Sequence, residues 1–409
     1  MTALQPDPPA AASAPDPLGP PPRADAVRLR QLVVRDFRNL ERVAFDLAPA
    51  GLAVVGENGH GKTNLLEAIY YLQLLRSVRG ARDAELVRFG AGAFHVQAVA
   101  EVPTADGPRT REVGVGFERA GKRKRVRVDG AEPPRLSDAL GAVPSVILSP
   151  GDVALIAGAP SERRRYLDVV LALTSRPYLA ALQAYRGALA RRNAALRDVA
   201  RTGRGDARVA VWEPALAEHG AVLWTERRRW VAAHADAFAT LCAAIGERAP
   251  VRMRYATALV APAESGHADA VDAQLAAART AIARGLEEKR AFDLKRVATH
   301  VGPHRDDLEI ALGGRELRTY GSGGQQRTAA IALRMLEAAT LREAIGGPPL
   351  FLLDDPFAEL DVHRAHRILA LLGEAGLGQA VIAVPRPSDI PDEFTRLERA
   401  TVRDGVVAG

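Results

Sequence analysis

The chain has 409 residues, 47% hydrophobic and 25% charged, with a net charge of +6 and a pI near 9.7. That balance fits a folded chain of two or three domains that can meet an anionic partner without demanding one. Cys242 is the sole cysteine, which excludes an intrachain disulfide and a cysteine-based metal site, and no run of about 18 apolar residues offers a membrane span.

The first 26 residues hold eight prolines and no apolar core, so they read as a disordered tail rather than a signal peptide, and a cytoplasmic protein with no membrane partner is expected. Residues 27–160 are rich in valine and glycine turns and predict short strands, interrupted by "LAVVGENGHGKTNLLEAIYYLQ", which reads as strand, loop and helix. Over residues 161–298 the period changes. Leu179, Leu182, Leu189 and Leu196 recur at helical spacing, Leu216, Leu223 and Trp230 fall seven apart, and Leu275, Ile282 and Leu286 share a further face. A helical arm is expected, its helices about 30 to 40 residues long, or roughly 45–60 Å. "VRMRYATAL" at 251–259 alternates like a strand inside it. Residues 299–409 are dense in motifs.

The stretch "GENGHGKTN" supplies Gly56, Glu57, Asn58, Gly59, His60, Gly61, Lys62, Thr63 and Asn64, the pattern of a phosphate-binding loop. Glycines let backbone N–H groups converge on phosphates, and a helix opening at Lys62 adds a positive dipole end. Lys62 is suited to the outer phosphates of ATP and the Thr63 hydroxyl to Mg²⁺. The carboxylate such a site needs comes only at "PLFLLDDPFAELD", where Asp354 ends an apolar strand and is the expected metal ligand. Asp355 follows as a base for water, giving Lys62 and Asp355 the catalytic roles. Just before that strand, "YGSGGQQRTAAIALRMLEAA" opens a helix with Ser322, Gly323, Gly324, Gln325 and Gln326. This segment is either a second anion cradle, acting on a nucleotide held by another copy, or a helix merely capped by Ser322.

Arginine accounts for all but five of the 55 basic residues. In "GKRKRVRVDG", Arg123, Arg125 and Arg127 alternate onto one strand face with Lys124 on the other. These four are the candidate contacts to a phosphate backbone, and the competing account is an edge strand protected by charge. Arg163, Arg164 and Arg165, and His304 with Arg305, either couple the arm to the nucleotide or form ion-paired turns. No basic surface rich in aromatics suggests base stacking.

S-G-G-Q before an LLDD strand, with "AELD" at 358–361, resembles the ATP-binding cassette superfamily, in which two heads sandwich two ATP molecules. By that resemblance Asp361 belongs to a loop that communicates across the dimer. Arg38 and Asn39 in "FRNL" match the N-terminal recognition segment of the DNA-repair branch that includes the SMC proteins, and are expected at the ATP. The 259 positions from Thr63 to Ser322 exceed the insertion of a transporter head and fall short of a long-coil protein. "SPGDVALIAGAPSERRRYLDVVL", "GPHRDDLEI" and "GSGGQQRTAA" together resemble the RecF family of bacterial recombination mediators, a likeness that covers nearly everything after residue 27.

The resemblance implies an α/β ABC-type P-loop ATPase head with an inserted helical arm, using ATP and Mg²⁺. It also implies an ATP-dependent homodimer on double-stranded DNA near single-strand gaps, placing RecA with RecR and RecO in a nucleoid-associated setting. The ATPase subunit of a membrane transporter is disfavoured by the length of the insertion, and a P-loop kinase would leave "GSGGQQR" idle. Three positions depart from the family pattern: Gly151 replaces a glutamate, Pro385-Arg386-Pro387 replaces a histidine or threonine switch, and Asp355 replaces a longer glutamate. Asp152 is accordingly given no catalytic role, and slow hydrolysis is expected.

Overall fold

The computed structural model describes residues 25–203, 205–259, 269–357, 360–374 and 378–408. The proline-rich tail up to residue 24, and Ala358 and Glu359 of the "AELD" motif, lie outside them. Strands β1 (Arg28–Phe37) and β2 (Leu40–Asp46) form a hairpin, and β3 (Gly51–Val55) leads through the glycine loop into helix α1 (Lys62–Leu74). Strands β4 (Ala93–Val102), β5 (Arg109–Glu118) and β6 (Arg123–Val128) return to the hairpin, completing an antiparallel sheet in the order β2-β1-β4-β5-β6. Its strands alternate buried and exposed residues, because one face packs on α1 and the other meets water.

After β7 (Ser145–Leu148) come α2 (Pro160–Thr174), α3 (Arg176–Thr202), α4 (Glu213–Ile245), β8 (Val251–Ala256) and α5 (Asp269–Arg296). The long helices α3, α4 and α5 have 27, 33 and 28 residues, so two of the three are shorter than expected. Strands β9 (Asp307–Leu312) and β10 (Arg315–Glu316) pair with β8 into a small antiparallel sheet. Helix α6 (Gly323–Ile345), β11 (Leu350–Asp354), α7 (Val362–Glu374), β12 (Ala380–Val384), β13 (Glu398–Arg403) and β14 (Val406–Ala408) close the chain.

The central sheet has the order β14-β13-β3-β12-β11-β7, parallel except for β14. Strands β3, β11 and β12 are buried at every position, since both faces are covered. Leu52 and Val54 of β3 face the core shared with α1 and the antiparallel sheet. Ala53 and Val55 face the other core, which runs without a break into the arm through Leu333, Trp230, Trp224 and Ile282. The helical insertion therefore shares its apolar core with the head. The seven-residue series Leu216, Leu223 and Trp230 is buried as its spacing predicts.

Candidate nucleotide site

Because β3, β12 and β11 lie side by side, the loop after β3 and the acid ending β11 meet at one end of the sheet, across a gap of 291 residues. The Thr63 hydroxyl donates to Asp354 Oδ1 at 3.0 Å. Gly59 and Gly61 adopt φ of 89° and 116°, a region costly for side-chain-bearing residues. A Cβ on Gly61 would also come within 2.9 Å of Asn39 Oδ1. The Lys62 ammonium donates to the carbonyls of Gly56 (2.5 Å) and Glu57 (2.9 Å) and reaches Asn58 Oδ1 at 3.5 Å. Burial lowers its pKa, against the pull of Asp354 and Asp355. The outer flank of the loop is closed by the β13–β14 turn, where the backbone N–H groups of Asp404 and Gly405 donate to His60 Nδ1 (3.0 Å) and the His60 carbonyl (2.9 Å).

Of the two residues of the "FRNL" segment, Asn39 contacts the loop and Arg38 contacts the helix behind it. Asn64 donates to Asn39 Oδ1 at 2.8 Å, and Asn39 to the Gly59 carbonyl at 3.4 Å. Arg38 grips the buried Glu67 of α1 through two bonds of 3.0 and 3.1 Å. Glu67 was not anticipated from the sequence. It also accepts from Ser77, and its Oε2 lies 3.8 Å from Arg79. Arg79, likewise unforeseen, lowers the pKa of Asp354 against a larger upward push from burial.

A cavity of about 530 Å³ opens beside Thr63 and Asp354, also lined by Glu67, Arg79, Ser149 and Asp152. Ser149 follows β7, the neighbour of β11, so a third strand delivers a hydroxyl to the same end of the sheet. The signal available was the apolar run "PSVIL" followed by a polar turn. Asp152 is engaged structurally: it accepts from the Ser149 N–H at 2.7 Å and from Arg334 of α6 at 2.7 Å. Arg334 also donates to the buried Glu337 at 2.6 Å. Thr63, Ser149 and Asp354 offer the hard oxygen donors that a magnesium ion takes, leaving its other positions to phosphate and water.

Asp355 has φ of +43°, strained for a non-glycine residue by roughly 1–3 kcal/mol. Its N–H donates to the Ala383 carbonyl (2.9 Å) and its carbonyl accepts from Arg327 (3.3 Å). Arg327 sits on the second turn of α6, tying the SGGQ helix to the acid loop. Ser322 caps that helix in a reciprocal box: its hydroxyl accepts from the Gln325 N–H at 3.3 Å, and Gln325 Oε1 accepts from the Ser322 N–H at 2.9 Å. Ser322 and Gly323 are exposed, Gly324 half-exposed, and Gln326 holds the Leu317 and Arg318 carbonyls. Asp361 accepts from the Arg364 N–H at 2.9 Å, a bond that holds its carboxyl below the usual range.

The basic candidates divide. Arg123, Arg125 and Arg127 are exposed on β6, an edge strand. Lys124 corrects the expectation of a phosphate contact: its ammonium faces inward, bonded to Asp83 (3.1 Å) and the Leu75 carbonyl, 4.8 Å over the Tyr71 ring. Strand alternation sends it to the packed face. Arg163 is spent on a bidentate pair with Asp307 at 2.8 and 2.7 Å, and Arg164 and Arg165 on backbone carbonyls. His304 bonds Tyr185 at 2.6 Å and Arg305 holds the Thr299 carbonyl, so this pair is a structural turn. Burial pushes the His304 pKa down to about 4.

The model of the RecF/RecN/SMC N-terminal domain matches residues 28–397. The DNA replication and repair protein RecF of Anaeromyxobacter dehalogenans (strain 2CP-C) is 39% identical over 346 residues, 85% of this chain and 89% of that protein. The protein of the same name from Roseiflexus castenholzii is 37% identical, over 91% of this chain and 98% of its own. A solved structure of the recombination mediator protein RecF-ATP in the RecFOR pathway superposes with a TM-score of 0.82 at 28% identity, covering 94% of this chain and 98% of that one. The Smc head of Pyrococcus furiosus shares the fold, at 17% identity and a TM-score of 0.52 over 93% of this chain and 95% of its own. The chain is an α/β head of the ABC-type ATPase fold, and it belongs to the RecF family of DNA replication and repair proteins.

Proposed function

We propose that this chain is an ATP-dependent DNA-binding recombination mediator. Two copies pair around two ATP molecules and hold double-stranded DNA near single-strand gaps, where RecR and RecO join in placing RecA. The observation that carries this reading is the outward-facing SGGQ helix end. Ser322 and Gly323 are exposed at the start of a 23-residue helix, while the glycine loop at 56–63 already has its own acid in Asp354, bonded to Thr63. Tyr320 and Val362, each 68% exposed, lie beside Ser322 and Asp361 in sequence. Apolar groups left to water next to an anion-seeking helix end suit a face that a second copy completes.

In this reading the N–H groups from Gly59 to Thr63 bind the ATP phosphates, and Lys62 exchanges its loop carbonyls for phosphate oxygens. Mg²⁺, when bound, neutralises and orients the outer phosphates. Thr63 and Asp354 would hold it, with Asp355 as the base that polarises water. The short reach of Asp355 supports a weak, DNA-stimulated hydrolysis, well below the ~10 s⁻¹ typical of enzymes.

Support for duplex DNA comes from the wet face of the antiparallel sheet. Strand register sets Arg125, Gly116, His95, Arg35 and Arg42 in one row across five strands, with Arg127 opposite Gly114 in the next. Such a row spans about 19 Å at the usual strand spacing. The arginines rise from a glycine floor, which suits a phosphate backbone. Light scattering tests the pairing: the intact chain doubles its mass with ATP, and Lys62→Ala stays monomeric. A chain that remains monomeric with saturating ATP overturns the reading.

A further inference from the structure

A crevice where α1 ends, between α2 and the start of α3, belongs neither to the nucleotide site nor to the wet sheet face. It encloses about 190 Å³ and has apolar walls from Leu74, Leu140, Val169, Leu173, Leu179 and Leu182. Arg76, Asp168 and Arg186 also line it. Asp168 is already committed: Oδ1 accepts from the Tyr178 hydroxyl and from Arg227, each at 2.6 Å, and Oδ2 accepts from Arg186 at 2.8 Å. Arg76 is half-buried and has no hydrogen-bond or ion-pair partner among the described residues. Burial and the nearby cations of Arg165 and Arg186 push its pKa down, against the weaker pull of Tyr70 and Asp168. A partly buried guanidinium whose neighbouring carboxylate is already spent on Tyr178, Arg227 and Arg186 gains from an anion that meets it.

We propose that this crevice docks an acidic protein segment, one apolar side chain filling the cavity and a neighbouring carboxylate pairing with Arg76. The occupant follows from complementarity. Six apolar walls match a side chain the size of leucine or phenylalanine and would go unmatched against a sugar–phosphate backbone. A carboxylate fits the forked guanidinium through two charge-assisted bonds. The site uses none of the outward arginines of β6 or β1, so it stands whether or not the DNA reading does.

Fluorescence anisotropy on the full chain tests this, with a fluorescein-labelled peptide EELFDE as probe and EESSDE as control. Saturable binding of the first is expected, weakened about tenfold or more in the control, which lacks the apolar side chain, and in Arg76→Met, which lacks the charge-assisted pair. Ala172→Phe, which fills the cavity from α2, is expected to block the probe while sparing the ATP-dependent change in mass. Without peptide, Arg76→Met is expected to raise Tm, because it removes an unpaired cation. Any of these results overturns the proposal: no saturable binding to the unaltered chain, equal binding of both peptides, a lowered Tm in Arg76→Met, or probe binding unchanged by Ala172→Phe. Loss of duplex DNA affinity in Arg76→Met with peptide binding intact makes the crevice a nucleic-acid contact and equally overturns it.

Discussion

The arginines of the arm and those of the antiparallel sheet are the same residue type in opposite conditions. In the arm, Arg192 is fully buried between Asp293 and Glu213, and Arg227 between Asp168, the Tyr178 hydroxyl and the Pro303 carbonyl. On the sheet, Arg35, Arg42, Arg123, Arg125 and Arg127 are exposed and make no ion pair among the described residues. The first group has its anions inside the chain and holds the fold together. The second group lacks them and is free to meet an outside polyanion. Charge content alone does not separate these roles; the presence of a partner does.

The sharpest way to break the comparison is to remove a cation whose partner is internal. Arg227→Met leaves Asp168 buried with less compensation and should cost about 3–5 kcal/mol, read by urea unfolding. An unchanged midpoint would mean that the buried network is ornamental. The same network borders His304, whose folded pKa of about 4 lies below its ordinary 6.5. A depressed folded value means that the unfolded chain binds more protons between those pH values. Stability is therefore full above pH 6.5 and is lost as pH falls toward 4, by up to about 3 kcal/mol. His304→Asn should flatten that loss between pH 6.5 and 5, and a parallel pair of curves would refute the assignment.

The smallest stability effect belongs to the sheet. Arg123→Glu, Arg125→Glu and Arg127→Glu together should change the unfolding free energy by no more than about 0.5 kcal/mol, as surface changes do. The same triple change should weaken duplex binding and reduce the salt slope by about one unit for each phosphate no longer neutralised. Lys124→Ala should do the reverse, lowering stability with little change in the salt slope, because its ammonium is engaged with Asp83 and Leu75. Equal effects of both changes on DNA would erase the distinction.

What could be read from the sequence follows the range of the interactions. The phosphate loop, the acid strand and the SGGQ helix are contiguous motifs, each carrying its own strand or helix signal, and each stands where its pattern predicted. The Arg38–Glu67 clasp, the Ser149 hydroxyl and the Asp152–Arg334 pair were not legible in that way. Each depends on a partner 29 to 182 residues away, or on which strand lies beside β11. Lys124 shows the converse. Alternation gave its face correctly, but only the packed structure reveals that the face is occupied. The long helices between Arg176 and Arg296 were legible in their period, though not in the continuity of their core with that of the central sheet.

The central claim is that Ser322 serves a nucleotide bound to another copy, beyond capping its own helix. Ser322→Asp separates the two roles, because aspartate caps as well as serine while its charge repels a phosphate. Light scattering on this variant with ATP, alongside nucleotide binding and Tm, is the direct measurement. The account predicts unchanged Tm, retained ATP binding by the monomer and no dimer. Normal ATP-driven dimers from Ser322→Asp would contradict it.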